Sequence, residues 1–238
     1  MIRERIIQGV KEGMTSTMGL IAQGRGEAFD YLLGERSIPP AQEATRAAVA
    51  AILLAKDPVF SVNGNAAVLA PHSIVSVARA LGMKLEVNIF HRTKERMKLL
   101  HLQLLAYAGE DVEILGLEPD RKLHHVDHPR ALCCEKGIYN ADLIFVPLED
   151  GDRAQALKDM GKRVVVVDLN PLSRSSRSAD ITIVDNLVRV LENMLELAAK
   201  MTNWDQERLV SLRDGFSNQD TLRATVDWMV DYLRKDAL

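Results

Sequence analysis

Between residues 57 and 200, short apolar β-branched runs alternate with segments of helical periodicity, and this alternation restricts the fold more than any other property of the chain. The runs lie at 58–62, 84–89, 112–115, 142–146, 163–168 and 181–184, and helical patterns cover 71–81, 93–108, 153–160 and 187–200. Strands that are apolar on both faces belong in a parallel sheet covered on each side, because helical crossovers must join neighbouring parallel strands and then lie on the sheet. The sequence therefore predicts an α/β fold, a Rossmann-like parallel sheet with helices on both faces. Helical N-terminal and C-terminal additions are expected around it. Helices are predicted over 2–14 and 26–34, then an alanine-rich one over 41–56 opened by Pro39-Pro40, and two closing helices over 204–238. We expect a single α/β domain over 1–238, with 1–56 as helical segment, 57–200 as core and 201–238 as C-terminal helices.

Hydrophobic residues make up 47% of the chain and charged residues 26%, enough to bury a full core. Lys and Arg number 30 against 33 Asp and Glu, a formal charge of −3, which speaks against a nucleic-acid partner. A phosphorylated ligand must then be met by locally placed arginines and backbone N–H groups. No apolar run approaches the roughly 20 residues of a membrane span, and the start lacks a signal-peptide pattern. A cytoplasmic protein with no membrane partner is expected. The adjacent Cys133 and Cys134 read as buried or reduced thiols.

Ligands of open parallel sheets bind beyond the carboxyl ends of the strands. After the run at 58–62 comes Asn63-Gly64-Asn65-Ala66-Ala67, either an ordinary tight turn or a backbone nest for phosphate or carboxylate. After 142–146, the string Pro147-Leu148-Glu149-Asp150-Gly151-Asp152-Arg153 crowds three carboxylates together. A cation, a ligand amine or Arg153 would offset their repulsion, or they decorate a helix N-terminus capped by Asp152. Asp168-Leu169-Asn170 suits ribose hydroxyls or an adenine edge, and the hydroxyls and arginines of Ser173 to Ser178 suit oligophosphate. A merely solvated Ser/Arg loop is the alternative there. Asp185-Asn186 repeats the acid–amide pair before a helix, and Gly24-Arg25-Gly26 offers an arginine on flexible backbone. Neither a Walker sequence nor a Gly-x-Gly-x-x-Gly fingerprint is present. His124, His125, Asp127 and His128 fit no common zinc spacing and read as solvated loop residues, so no metal ligands are assigned.

Gly19-Leu20-Ile21-Ala22, Gly24 to Glu35, Ser61 to Ala66, Glu86-Val87-Asn88, Gly137-Ile138-Tyr139, Val146 to Arg153, Asp168 to Arg174 and Val184-Asp185-Asn186 together carry a family resemblance. Over about residues 3–190 the chain resembles the archaeal-type phosphopantothenate synthetases, that is, the 4-phosphopantoate–β-alanine ligases. The resemblance implies an ATP-dependent, AMP-forming condensation of (R)-4-phosphopantoate with β-alanine to 4′-phosphopantothenate in coenzyme A biosynthesis. It further implies a phosphopantoyl-adenylate intermediate, Mg²⁺ with the ATP, and a homodimer.

Position by position, it places ATP at Arg3, Arg25, Asp168, Leu169, Asn170, Arg174, Ser175, Asp185 and Asn186. Catalytic roles are expected for Arg25, for Glu149, Asp150 and Asp152, holding Mg²⁺ or the β-alanine ammonium, and for Arg153, steadying the departing pyrophosphate. Asn63, Gly64 and Asn65, from nest chemistry, and Asn88 are the substrate-binding candidates. Gln23 stands where many members are expected to carry a histidine. A nucleotide-binding regulatory protein on the same fold is the alternative, since a fold does not fix an activity.

Overall fold

The structure, a computed structural model, describes residues 2–235. Helices α1 (Ile2–Lys11), α2 (Thr17–Leu33) and α3 (Pro39–Leu54) precede strand β1 (Pro58–Val62). Helices α4 (Gly64–Leu69) and α5 (Pro71–Leu81) lead to β2 (Lys84–Val87), and α6 (Lys94–Ala108) leads to β3 (Ile114–Leu115). A two-stranded antiparallel ribbon, β4 (Arg121–Lys122) with β5 (Leu132–Cys133), and a π-turn at Glu135–Tyr139 return the chain to the sheet. There follow β6 (Leu143–Pro147), α7 (Gly151–Asp159), β7 (Arg163–Val167), α8 (Arg174–Ser178) and β8 (Ile181–Ile183), then α9 (Leu187–Met201), α10 (Gln206–Asp214) and α11 (Asn218–Lys235). No helix among the described residues is long and apolar enough to cross a membrane.

The six main strands stand in the order β3-β2-β1-β6-β7-β8, with every neighbouring pair parallel. This is the doubly wound Rossmann order. Period-two alternation splits the strand residues between two buried faces. Phe60, Val62, Leu143, Phe145, Val165 and Val167 join the larger core with α3, α5 and α9, and Phe60 meets Phe145 edge to face at 4.7 Å. Val59, Ile144, Val146, Val164 and Val166 face a smaller core closed by Ala154 and Leu157 of α7. Helix α3 is buried at Ala44, Ala47, Ala48, Ala50 and Ala51, and these small side chains let it lie close to β8, α9, α10 and α11.

Helix α2 departs from expectation. It begins at Thr17 and runs through Gly19, Gly24 and Gly26, so Arg25 sits on regular helix and not on flexible backbone. Each glycine costs a helix about 1 kcal/mol relative to alanine. Packing outweighs that at Gly19, where a Cβ would collide with Asn65 Oδ1 and Thr15 Oγ1.

Glu86 of β2 is fully buried, with its carboxylate accepting from the backbone N–H of Cys134 (3.0 Å) and Ile138 (2.7 Å). The absence of a side chain at Gly137 makes room for it. Burial pushes this carboxyl from its ordinary 4.5 up to about 7, despite the two donors that pull it down. The folded chain thus holds a proton that the unfolded chain releases near pH 4.5, so the contribution of Glu86 to stability is full below that pH and is lost as pH rises through about 7. Urea unfolding at pH 5 and pH 8 is expected to show the parent losing about 2–3 kcal/mol more than Glu86→Gln across the interval. Equal losses would refute this assignment.

Candidate active site

Strands β1 and β6 are neighbours, but the chain leaves them in opposite directions, toward β2 and toward β7. Their loops diverge and open a crevice at the carboxyl edge, the usual ligand position in such sheets. Asn63 stitches its floor. Its Oδ1 accepts from Ala66 N (2.9 Å), capping α4, while its Nδ2 donates to Pro147 O at the end of β6 (2.7 Å). The next residue, Leu148, takes left-handed backbone at φ 51° with its N–H on Val167 O. That conformation costs a residue with a side chain about 1–2 kcal/mol.

The crevice has two chambers that share Ala22, Asn63, Asn65 and Leu148. The smaller, about 60 Å³, lies at the ends of β7 and β8 against Gln23, Gly26, Leu169, Asp185 and Asn186. The larger, about 530 Å³, is lined by Thr15, Arg25, Phe90, Arg96, Arg130 and Asp150, among others. Its volume falls within the roughly 300–1,000 Å³ of small-ligand sites.

The acidic string after β6 is not a cluster of free carboxylates. Glu149 is buried between two guanidinium groups: Arg130 grips it in a fork at 2.6 and 3.2 Å, and Arg153, one helical turn on, pairs with its other side. Arg130 Nε donates to Asn88 Oδ1 (3.1 Å), and Asn88 Nδ2 donates to Arg130 O and Leu132 O. Burial pushes the Arg130 guanidinium down to about 10, so it remains charged at neutral pH. Asp150, not Asp152, caps α7, accepting from Asp152 N (3.0 Å). Asp152 pairs on the surface with Arg174 at 2.9 Å. No group of three or more His, Cys, Asp or Glu side chains converges as for a metal ion among the described residues. The residues expected to hold Mg²⁺ therefore do not form a protein cage for it. Arg153 is wholly buried on Glu149, with Ser61 Oγ at 3.5 Å, and does not line either chamber; Asn88 is equally buried and serves Arg130.

The strand ends of β7 and β8 form a second polar region. Asp168 accepts from Asn170 N (3.0 Å) and Ser173 Oγ (2.6 Å), and burial raises its carboxyl above the ordinary aspartate value. Asn170 Oδ1 receives Leu172 N, and Ser175 Oγ donates to Glu149 O, joining the 168–178 loop to the 147–150 loop. The Ser/Arg stretch is ordered, as α8 capped by Ser173. Asp185 receives Ser37 Oγ (2.5 Å) and Arg189 Nε (2.7 Å), and Asn186 caps α9 while reaching Asp30 at 3.4 Å. Arg25 has no hydrogen bond or ion pair among the described residues, and the charge it senses is that of Asp168. Arg3 lies apart, exposed and paired with Glu27 and Tyr31 in a separate surface cavity.

Asn65 spends its side chain on Thr15 Oγ1 and Gly19 O, so of the 63–65 string only the backbone faces the chamber without a fixed partner. Residues that no motif flagged complete the large chamber: Thr15, Phe90, Arg96 and Arg130. His128 stands behind them, its ring 4.6 Å from Phe90 and its Nε2 3.7 Å from Asp150, and burial lowers its pKa. The i,i+4 spacing of Glu149 and Arg153 was a readable signal for their pairing. Cys133 and Cys134 are free and buried, their thiols pushed up to about 12 and about 11. His124 and His125 are exposed.

A family model described as phosphopantothenate/pantothenate synthetase matches residues 40–232. The chain is 54% identical over 92% of its length to a protein of Thermococcus kodakarensis, covering 84% of that protein. It is 51% identical to a protein of Thermococcus onnurineus, over 98% of this chain and 89% of the relative. Identity to a Methanosarcina mazei protein is also 51%, over 98% of this chain and 90% of the relative. Each of the three is named 4-phosphopantoate–β-alanine ligase.

The buried position of Glu149 yields a stability test. Glu149→Gln leaves two buried guanidinium groups without a counter-charge and is expected to cost about 3–5 kcal/mol in urea unfolding. Asp152→Asn, which breaks only a solvated pair, is expected to cost under about 1 kcal/mol. Comparable losses in the two variants would contradict the geometry.

Proposed function

The chain belongs to the phosphopantothenate/pantothenate synthetase family, and from that membership we infer that it is an ATP-dependent, AMP-forming ligase joining 4-phosphopantoate to β-alanine in coenzyme A biosynthesis. The observation that carries this reading is the 41–54% identity to proteins named for that reaction along nearly the whole chain. The crevice supports it with a larger chamber of small-ligand volume and, beside it, polar loops at the ends of β7 and β8.

A carboxylate and an ammonium group do not condense in water, so the acid must first gain a leaving group. The phosphopantoate carboxylate oxygen attacks the α-phosphorus of ATP, the bond from that phosphorus to the β-phosphate bridge breaks, and pyrophosphate leaves. The amine of β-alanine then attacks the acyl carbon, the acyl–oxygen bond breaks, AMP leaves, and the ammonium proton passes to a base. Bringing anions together requires fixed positive charge and excluded water, and orientation supplies much of the acceleration.

In this reading Asp168, Leu169, Asn170, Asp185 and Asn186 receive the nucleoside at the open ends of β7 and β8, with Arg174 and Ser175 nearby on α8. Arg25, uncompensated at the junction of the chambers, faces the α-phosphate where charge builds up. Arg174 is held only by a solvated partner and is free to turn to the phosphates. Asp150, on the chamber wall with no arginine upon it, remains to receive the β-alanine ammonium or its proton. Glu149 and Arg153 act through position, holding Arg130 and the 147–150 loop. Mg²⁺ would arrive with the triphosphate, and no step is assigned to it. Arg3, outside both chambers in a cavity that meets the smaller one at Gln23, would serve ATP only through rearrangement or from a second subunit. A homodimer belongs to the same reading, and the exposed Leu99, Leu102 and Leu105 of α6 offer apolar surface for it.

Incubation with ATP, Mg²⁺, phosphopantoate and β-alanine, each omitted in turn, is expected to give AMP and pyrophosphate together with the amide product only in the complete mixture. ADP in place of AMP would reject the adenylate route, and ATP binding without turnover would favour the regulatory alternative. Arg25→Ala is expected to slow the complete reaction by about 10²-fold.

A further inference from the structure

Beside the large chamber, both ring nitrogens of His128 are cut off from water, and neither makes a hydrogen bond among the described residues. A buried polar atom without a partner costs folding free energy, so two in one ring call for a reason other than stability. The ring is nonetheless held in place. Phe90 lies against it at 4.6 Å between centroids, Pro129 follows it in the chain, and its backbone carbonyl accepts from Ala131 N (2.9 Å). Its Nε2 lies 3.7 Å from Asp150 Oδ2, and His128 is the only ion-pair partner of Asp150 among the described residues. The other oxygen of Asp150 accepts from Asp152 N, which fixes the carboxylate between α7 and the imidazole. Asp150 borders the chamber and His128 stands behind it; neither belongs to a converging set of metal-type ligands among the described residues. Asp150 and Glu149 favour a proton on the ring, while Arg130, Arg153 and, above all, burial oppose one. The imidazole is therefore neutral at pH 7, with one nitrogen able to accept.

We propose that His128 is a positioning residue for the amine step alone: it orients Asp150 and takes from it a proton of the incoming amine. The assignment rests on the ligase reading for the identity of that amine. On passing from ammonium to amide, the β-alanine nitrogen loses two protons, while its lone pair forms the bond to the acyl carbon and the acyl–oxygen bond to AMP breaks. A carboxylate is a far weaker base than an amine, so Asp150 alone holds such a proton poorly. With His128 behind it, Asp150 passes one proton to an imidazole nitrogen and returns to carboxylate; the second proton leaves with AMP or to solvent. Histidine suits the task because its ordinary pKa lies near neutral pH, where a base both takes up and releases protons readily. Catalytic hydrogen bonds are often long before substrate arrives and shorten in the complex, as the 3.7 Å pair must. The adenylation half involves no amine, so His128 takes no part in it. His91 also borders the chamber, but it is exposed and in no ion pair among the described residues.

Two half-reactions separate the roles. Exchange of labelled pyrophosphate into ATP, with phosphopantoate present and β-alanine absent, reads adenylate formation. Single-turnover amide formation from preformed adenylate reads the amine step. His128→Gln is expected to keep exchange within about 2-fold of the parent and to slow amide formation by about 10²-fold. Hydroxylamine, a nucleophile already unprotonated at pH 7, is expected to trap the adenylate equally well in parent and variant. In the parent, amide formation at saturating β-alanine should fall as pH drops below the ordinary histidine value of 6.5, an acid limb that exchange lacks and that His128→Gln loses. Should the variant fail to fold, the two pH profiles of the parent decide, and the same limb in both overturns the assignment. So does a parallel loss of exchange and amide formation, hydroxylamine trapping that falls with the amide step, or a loss found in His91→Gln instead. A parent that gives neither exchange nor AMP removes the ligase reading and the relay with it, whereas a fully active parent matched by His128→Gln removes the relay alone.

Discussion

One side-chain amide holds the crevice in register. Where β1 and β6 lie side by side and the chain departs in opposite directions, no main-chain ladder continues beyond the strand ends to keep the two loops together. Asn63 supplies the missing link, capping α4 with its oxygen and binding Pro147 O with its nitrogen. A cap of this kind contributes roughly 1 kcal/mol by itself, but here the same residue also sets the spacing between the two halves of the rim. Leu148 follows directly in its left-handed conformation, and Glu149 begins the buried ion cluster behind it. The link across the floor and the ion cluster that backs the wall are thus only two residues apart in the chain.

The charges around that floor divide into those that are spent and those that are available. Glu149 and its two arginines are removed from water and hold one another, which makes them a poor place for a ligand ion and a rigid backing for the chamber wall. The Asp30–Arg189–Asp185 group does the same on the opposite side, tying α2 to the start of α9. Between these two braced regions stand Arg25 and Arg96, neither in an ion pair among the described residues. Positive charge that folding leaves unanswered can be answered by a bound anion without first breaking an internal bond.

Strand and helix identities were legible because apolar runs and amphipathic stretches leave few alternatives, and a parallel sheet follows from their alternation, though the order of its strands does not. Helix α2 was harder to read. Glycines at 19, 24 and 26 argue locally for loop, and only the close approach of Asn65 and Thr15 explains why helix prevails. The acidic string at 149–152 left a cation, a ligand amine, Arg153 and a helix cap all open; Arg153 does pair with Glu149, but the second charge comes from Arg130, nineteen positions upstream, which no local reading reaches. Arg96 escaped notice for a related reason. Nothing in a lysine- and arginine-rich helix start distinguishes a solvated side chain from one pinned by carbonyls at Met14 and His91. Loops after β7 and β8 do stand at the strand ends, but the hydrogen bond that ties the first of them to 147–150 is one that no single segment announces.

The reversal of strand order has an evolutionary corollary. Both βαβ halves line both chambers: Asn63 and Asn65 beyond β1 and Leu148 beyond β6 border the smaller and the larger alike. A substitution at either strand end is therefore felt on both sides of the crevice, and neither chamber can drift in shape alone.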